Sequence, residues 1–468
     1  MISKTFFKET KELLREGRVR ISIVIVLLLL GIAVWISAKQ YENTNDRYAA
    51  AKTTERAVWD GQGAENPHSA AHFGTYAFKP KYPLSLVDQG VDKYAGTSIF
   101  LEAHNRNDAQ FSAAADQTGL ARFGDLTPDF ILLFIIPLLI ILLGYNSLTK
   151  EREMGTLALL KSQGISFWKM ILGKWTALFM PILIITVVLF LIAGMVLSSL
   201  EDYGVFSWSA LLVMCLIYIV YYAVFTNLVL IISALTQKSG VSLVISLSVW
   251  IIACLATPKM ATNIANKQHP YPTAQEFAVD IAKDKEKGLD GHNHWSEESK
   301  KLEQDVLAEY GVDSLSQLPF NFDGYRMQKG EEHAAEVYFK HYKLLKDQYE
   351  KQTNVYQSLA VLSPYLPTRF MSMAVAHTDY GAHWDFSDSA ENYRVAAQKF
   401  LNDHFAENSS YGDWEWQADA DFWQELPPFE YEPRTLQSTL QTHQGNLGIM
   451  GGWLLLSFGG LFLTSKRF

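Results

Sequence analysis

The sequence predicts an α-helical membrane protein: six transmembrane helices with two large extracytoplasmic segments, the first α+β or irregular, the second mainly helical. Three observations predict it. Six apolar runs approach the ~20 residues of helix that cross a bilayer. Lys and Arg gather in the short segments on one side of those runs. The two long segments between runs hold the acidic surplus. The 468 residues carry a net charge of −9 and a mean hydropathy of +0.02, averages over two unlike materials that describe neither.

The runs are residues 21–38, 130–148, 175–197, 210–235, 241–256 and 447–463. Residues 1–20 form a long, basic, helix-like stretch. Ser37-Ala38-Lys39-Gln40 is a poor cleavage site, so the first run is expected to stay as an anchor. The fifth run is short and bears Ser242, Ser246 and Ser248. Pro137 and Pro181 fall in or near the start of runs, where a neighbouring helix can satisfy the carbonyl that a proline frees.

Orientation follows from counting basic residues, which resist translocation. Residues 1–20 hold six basic and three acidic side chains, 149–174 five and two, Lys238 stands alone, and Lys466-Arg467 follow the sixth run. Their net +9 leaves −18 for the rest. Both termini are therefore expected in the cytoplasm, with segments 39–129 and 257–446, and a short acidic hairpin around Glu201-Asp202, outside. Segment 39–129 mixes Gly, Pro and small residues without a long helical period. Segment 257–446 repeats apolar and aromatic residues at helical spacing over 275–287, 296–310, 327–362 and 389–405, as in Val337, Phe339, Tyr342, Leu345 and Tyr349. Cys215 and Cys254, the two cysteines, lie inside runs, so the polar segments are built without disulfides.

The segment 149–174, between runs two and three, contains Lys150-Glu151-Arg152-Glu153-Met154-Gly155-Thr156-Leu157 and, beyond, Gly164. Here the chain resembles the type-2 ABC exporter permeases, in which such a segment forms a short coupling helix against the ATPase. The resemblance implies that Glu151, Arg152, Glu153, Gly155, Thr156 and Leu157 couple motor to spans, with Gly155 and Gly164 at tight turns; a solvated loop is the bland alternative. Asn66-Pro67-His68-Ser69-Ala70-Ala71-His72-Phe73-Gly74, Phe100-Leu101-Glu102-Ala103-His104, Leu362-Ser363-Pro364 and Glu391-Asn392-Tyr393-Arg394 resemble the branch of that family with a large periplasmic domain of unknown function. Implied are an amphipathic helix within residues 1–20, about Lys4 to Arg18, on the inner membrane surface, an ABC ATPase partner, a homodimer or a heterodimer with a similar permease, contact with membrane lipid, and a bacterial cytoplasmic (inner) membrane location.

No Gly-x-x-x-x-Gly-Lys-Ser/Thr phosphate loop occurs, so the chain is expected not to be an enzyme, and ATP is expected to bind a partner. The charge distribution gives no reason to expect nucleic acid. No charged residue falls clearly inside a run, against an ion-driven transporter. Tyr218, Tyr221, Tyr222, Thr226 and Asn227 form a polar and aromatic stripe on run four that could line a substrate route or simply pack. Gly448 and Gly452 permit close helix approach, within the chain or across a dimer. Against this exporter reading stands a mechanical or regulatory envelope complex, worked by an ATPase without transport.

Among the twelve histidines, His292-Asn293-His294, His377 and His383 read as loop residues. His68 and His72 differ: with Asn66 as cap and Pro67 in the first turn, they fall one turn apart on one helix face. Glu102 and His104, if on a strand, share a face, and the four could then converge on zinc or copper. A hydrogen-bonded structural cluster is the other reading.

Overall fold

The computed structural model describes residues 2–112, 126–162, 164, 166–199 and 206–466; the hairpin expected around Glu201-Asp202 lies outside them. Among the described residues, six helices are long and apolar enough to cross a membrane: Gly17–Asp60, Pro128–Glu153, Phe167–Ser198, Trp208–Leu235, Ser239–Gln268 and Gln444–Lys466. Each contains one expected run and overshoots it, because hydropathy marks where apolar side chains end, not where backbone hydrogen bonding ends.

The overshoot is largest in the first helix, and it corrects the expectation that residues 39–129 hold no long helical period. Gly17–Asp60 runs 44 residues without a break, about 66 Å at 1.5 Å per residue. Past Ala38 it is sustained by good helix formers such as the Ala49-Ala50-Ala51-Lys52 stretch and by the Arg56–Asp60 ion pair at 2.8 Å, one turn apart. Gly61 ends it. The helix before it, Ile2–Arg15, ends three residues earlier than expected, with Glu16 extended at the junction. It lies across Phe167–Ser198 so closely that a Cβ on Gly173 would stand 2.5 Å from the Thr5 Cβ.

The rest of the first polar segment is small and mixed, as expected: a helix Pro67–Phe73, then strands β1 (Thr75–Phe78) and β2 (Ser98–Leu101), paired antiparallel with Thr75 opposite Leu101. The second is helical, built on Ala274–Lys285, Glu297–Tyr310, Phe322–Leu359 and Tyr380–Asn408. Thr273 with Glu276, Ser296, Asn321 and Asp379 cap their N-termini.

These two segments form one body. Trp59, Ala70, Ala71 and Ala103 share a core with Ala397, Leu401, Phe422 and Trp423; Ala77, Ile99 and Leu101 share another with Phe386 and Ala390. The Trp59 indole donates to the Trp423 carbonyl at 3.0 Å. At the centre, fully buried Arg394 grips both oxygens of Glu391 at 2.9 Å and reaches Glu331 at 3.1 Å. Three buried charges are tolerable there because each is paired and hydrogen-bonded.

Two spans carry a π-turn followed by proline. In Ile131–Ile135 the Ile136 N–H bonds back to the Ile131 carbonyl, which diverts the donor that Leu132 would receive, and Pro137 has no N–H for Leu133. The hydroxyls of Tyr222 and Tyr221 donate to those two carbonyls at 3.0 and 2.9 Å. In Ile252–Ala256 the Thr257 N–H goes to Ile252, and the Ser363 hydroxyl satisfies the stranded Ala253 carbonyl at 2.6 Å. Helix Tyr365–Val375, which follows Ser363, packs against the fourth span.

Candidate functional site

The loop between the second and third spans forms two short helices, Thr149–Glu153 and Thr156–Ser162. Gly155 (φ 73°) and Gly164 (φ 70°) take the left-handed conformation expected of them at turns. Glu151 is buried and accepts from Lys8 at 2.8 Å and Lys174 at 3.4 Å, and the Thr156 hydroxyl donates to it. Lys174 in turn binds Glu9 at 2.6 Å, so the carboxylate ties the loop to the amphipathic helix and to the third span. Arg152 donates to the carbonyls of Thr236 and of Ala234 (2.8 Å), the last turn of the fourth span's helix. Glu153 accepts from the backbone N–H and hydroxyl of Ser239 at 2.7 and 2.8 Å, capping the fifth.

The charged motif is therefore a clasp on three spans. Glu151 and Leu157 are buried, and Arg152 is turned inward toward its carbonyl partners. The exposed face consists of Glu153, Met154, Gly155, Ala158 and Leu159, with Met154 66% and Leu159 58% exposed. Met154 and Leu159 were not singled out by sequence; two large apolar side chains beside a charged motif were the available signal.

The stripe on the fourth span is packed among the described residues. Tyr218, Tyr221, Tyr222, Thr226 and Asn227 are at most 1% exposed. Tyr218 bonds the Ser372 hydroxyl at 2.9 Å, the two following tyrosines serve the π-turn, and Thr226 back-bonds to Tyr222. Asn227 accepts from Trp175 at 2.7 Å and donates to Ser457 at 2.9 Å. Of the two readings of the stripe, packing is the one its contacts within this chain display: each polar side chain that suggested a lining has an intramolecular partner. A cleft of about 1030 Å³ lies elsewhere, beside the polar half of the first helix, walled by Tyr48, Val58, Phe73, Tyr76, Phe100 and Phe111 among others.

The histidines do converge, with one change of member. His68 and His72 lie on helix Pro67–Phe73, capped by the Asn66 side chain on the His68 N–H as expected. His104 is not on a strand: β2 ends at Leu101, and His104 sits in the following turn at φ 68°. Glu102 is not part of the cluster; its carboxylate accepts from Asn105 and Asn107 at 3.4 and 3.1 Å. Its place is taken by His292, a loop residue by sequence. The ligand nitrogens of His68, His72, His104 and His292 all lie within 4.8 Å of one another. Burial and the neighbouring imidazoles push His68 down to about 3, so its ring is neutral at physiological pH. Glu331 pairs with His104 from behind; burial pushes its carboxyl up, but the His104 hydrogen bond and Arg394 outweigh that and hold it at about 2.

Six apolar helices, a clasped loop and an amphipathic helix laid against the third span are the architecture of a multi-pass membrane permease. Family comparison is specific. The ABC-2 family transporter protein matches residues 95–264, and a domain of unknown function (DUF3526) matches residues 274–432. Together they cover more than two thirds of the chain, which matches an ABC-2 transporter permease with that additional domain. Comparison with curated proteins gives no match.

Proposed function

We propose that the chain is the membrane subunit of a bacterial ABC exporter in the inner membrane, with cytoplasmic termini, an extracytoplasmic polar body and a separately encoded ATPase docked on the loop between spans two and three. One observation carries this: Glu151, Arg152 and Glu153 fasten that loop to the third, fourth and fifth spans while Met154 and Leu159 stay exposed. A push on the apolar pair is thereby transmitted to three spans at once, which is what a coupling element must do. Each protomer pairs with a second permease; among the described residues, a Cβ added at Gly448, Gly451 or Gly452 of the sixth span would meet nothing within 4 Å, leaving room for a helix to approach.

A mechanical role without transport is the second reading, and the uninterrupted 44-residue first helix favours it, because it joins membrane to polar body as a stiff lever. The cleft beside that helix favours transport, as the place where an extruded molecule is received. The test is ATP hydrolysis by the co-purified complex in proteoliposomes, wild type beside Met154→Glu/Leu159→Glu. Losing two apolar anchors at an interface costs on the order of 1–2 kcal/mol each, or more than tenfold in ATPase affinity. Undiminished association and hydrolysis in the variant refute docking at this face.

A further inference from the structure

Four imidazoles meet where the two halves of the polar body join. His68 and His72 come from the helix Pro67–Phe73, His104 from the turn after β2, and His292 from the loop before Glu297–Tyr310. The His68 Nε2 lies 3.2 Å from the His72 Nε2 and 3.1 Å from the His292 Nε2. Hydrogen bonding cannot serve both contacts well. A neutral ring nitrogen either donates one hydrogen or accepts into one in-plane lone pair, so one of the two neighbours is left facing it unsatisfied. A cation placed between them accepts all the lone pairs. With metal–nitrogen bonds of 2.0–2.1 Å, tetrahedral geometry sets the donors about 3.3 Å apart, close to what is seen.

The fourth ring is held for the same task. The His104 Nδ1 faces Glu331, which also accepts the His104 backbone N–H at 2.8 Å and is anchored by Arg394. That carboxylate fixes the proton on Nδ1 and leaves Nε2 as the lone-pair nitrogen. This Nε2 is buried with no hydrogen-bond partner among the described residues, a costly state that ligation would relieve. Carboxylate behind histidine is the arrangement that orients imidazole ligands in metal sites. The left-handed backbone at His104, uncommon for a side-chain-bearing residue, is where the chain turns to present the ring.

We propose that His68, His72, His104 and His292 bind one divalent first-row transition ion, zinc being favoured by the tetrahedral spacing, with Glu331 positioning His104. Four neutral nitrogen donors suit zinc or copper and not the oxygen-seeking magnesium or calcium. His72 and His292 are exposed, so the ion enters from solvent. Once bound, it pins the loop around His292, from one half of the body, to Pro67–Phe73 of the other. The inference does not depend on whether the complex transports or only moves.

The experiment uses the full chain, purified in detergent without a histidine tag, stripped with chelator and titrated with zinc chloride against a competing chelator. Wild type takes up one zinc per chain, and cobalt(II) in its place gives the intense visible absorption of a tetrahedral site. His68→Ala/His72→Ala and His292→Ala each abolish stoichiometric uptake, Glu331→Gln weakens it about 10–100-fold, and Glu102→Ala leaves it unchanged. Zinc also slows hydrogen exchange around residue 292 in wild type but not in His292→Ala. Should the double variant misfold, His292→Ala, a change at an exposed loop, carries the comparison. Equal sub-stoichiometric zinc in wild type and His292→Ala, or a weak octahedral-type cobalt spectrum, overturns the proposal.

Discussion

Replacing Arg394 with Met should be among the most damaging single changes in the polar body. The guanidinium is 0% exposed and makes four contacts: two to Glu391 at 2.9 Å, one to Glu331 at 3.1 Å and one to the Glu102 carbonyl at 3.3 Å. Met fills much of the volume, so the cost is electrostatic: Glu331 and Glu391, 4% and 2% exposed, lose their shared cation. Breaking a buried pair from one side costs roughly 3–5 kcal/mol. At about 2–4 °C per kcal/mol for a body of this size, the melting transition falls by about 6–20 °C. Thermal unfolding of the full chain in detergent, followed by tryptophan fluorescence, reads it directly, since Trp59, Trp384 and Trp423 are buried in that body. Neutralising both carboxylates as well, in Arg394→Met/Glu331→Gln/Glu391→Gln, should recover more than half of the loss. An Arg394→Met transition within about 2 °C of wild type, on the same scale, would refute the reasoning.

Three further outcomes are expected. Tyr221→Phe and Tyr222→Phe each strand a carbonyl of the Ile131–Ile135 π-turn and should destabilise the bundle by about 1–3 kcal/mol; equal, negligible effects in denaturant titrations of the two variants would show that the turn does not need them. Burial pushes the Asp379 carboxyl up, but its hydrogen bond with His443, the Ala382 N–H and the charge of Arg434 outweigh that and hold it below the ordinary carboxylate range. A depressed value contributes stability above pH ~4 that is lost as pH falls through the folded value, so Asp379→Asn, which keeps the helix cap, should lie below wild type at pH 7 and converge with it in acid. A gap that widened on acidification would contradict the sign. Finally, with Cys215 and Cys254 buried, a cysteine at Leu159 should resist an impermeant maleimide in intact spheroplasts while one at Asp347 reacts, and the reverse pattern would invert the proposed topology.

How much of this was legible in the sequence depended on the range of the physics. The spans were, because hydropathy is a property of consecutive residues; their true ends were not, since helices continue into water on hydrogen bonds and local pairs such as Arg56–Asp60. Pro137 announced a freed carbonyl, yet the π-turn beside it and the tyrosines that repair it belong to different helices, and a tyrosine stripe reads alike whether it lines a path or satisfies a backbone. His68 and His72 were found from spacing alone. His292 was not, because nothing in the sequence near it points to Pro67–Phe73, and Glu102, nearer in sequence, was assigned its place. The Glu151–Leu157 motif marked the right loop but not which side chains face inward, a distinction set by Lys8, Lys174 and Ser239 from three other elements.

The central claim is that an ATPase grips the Met154–Leu159 face, and site-specific photocrosslinking in intact cells tests it most directly. A photoreactive residue at position 154 or 159 should give an adduct with a protein that contains an ABC ATPase phosphate loop, identified by mass spectrometry, whereas one at exposed Val361 should not. Crosslinks from 154 and 159 to lipid alone or to extracytoplasmic proteins, with none to an ATPase, would contradict the account.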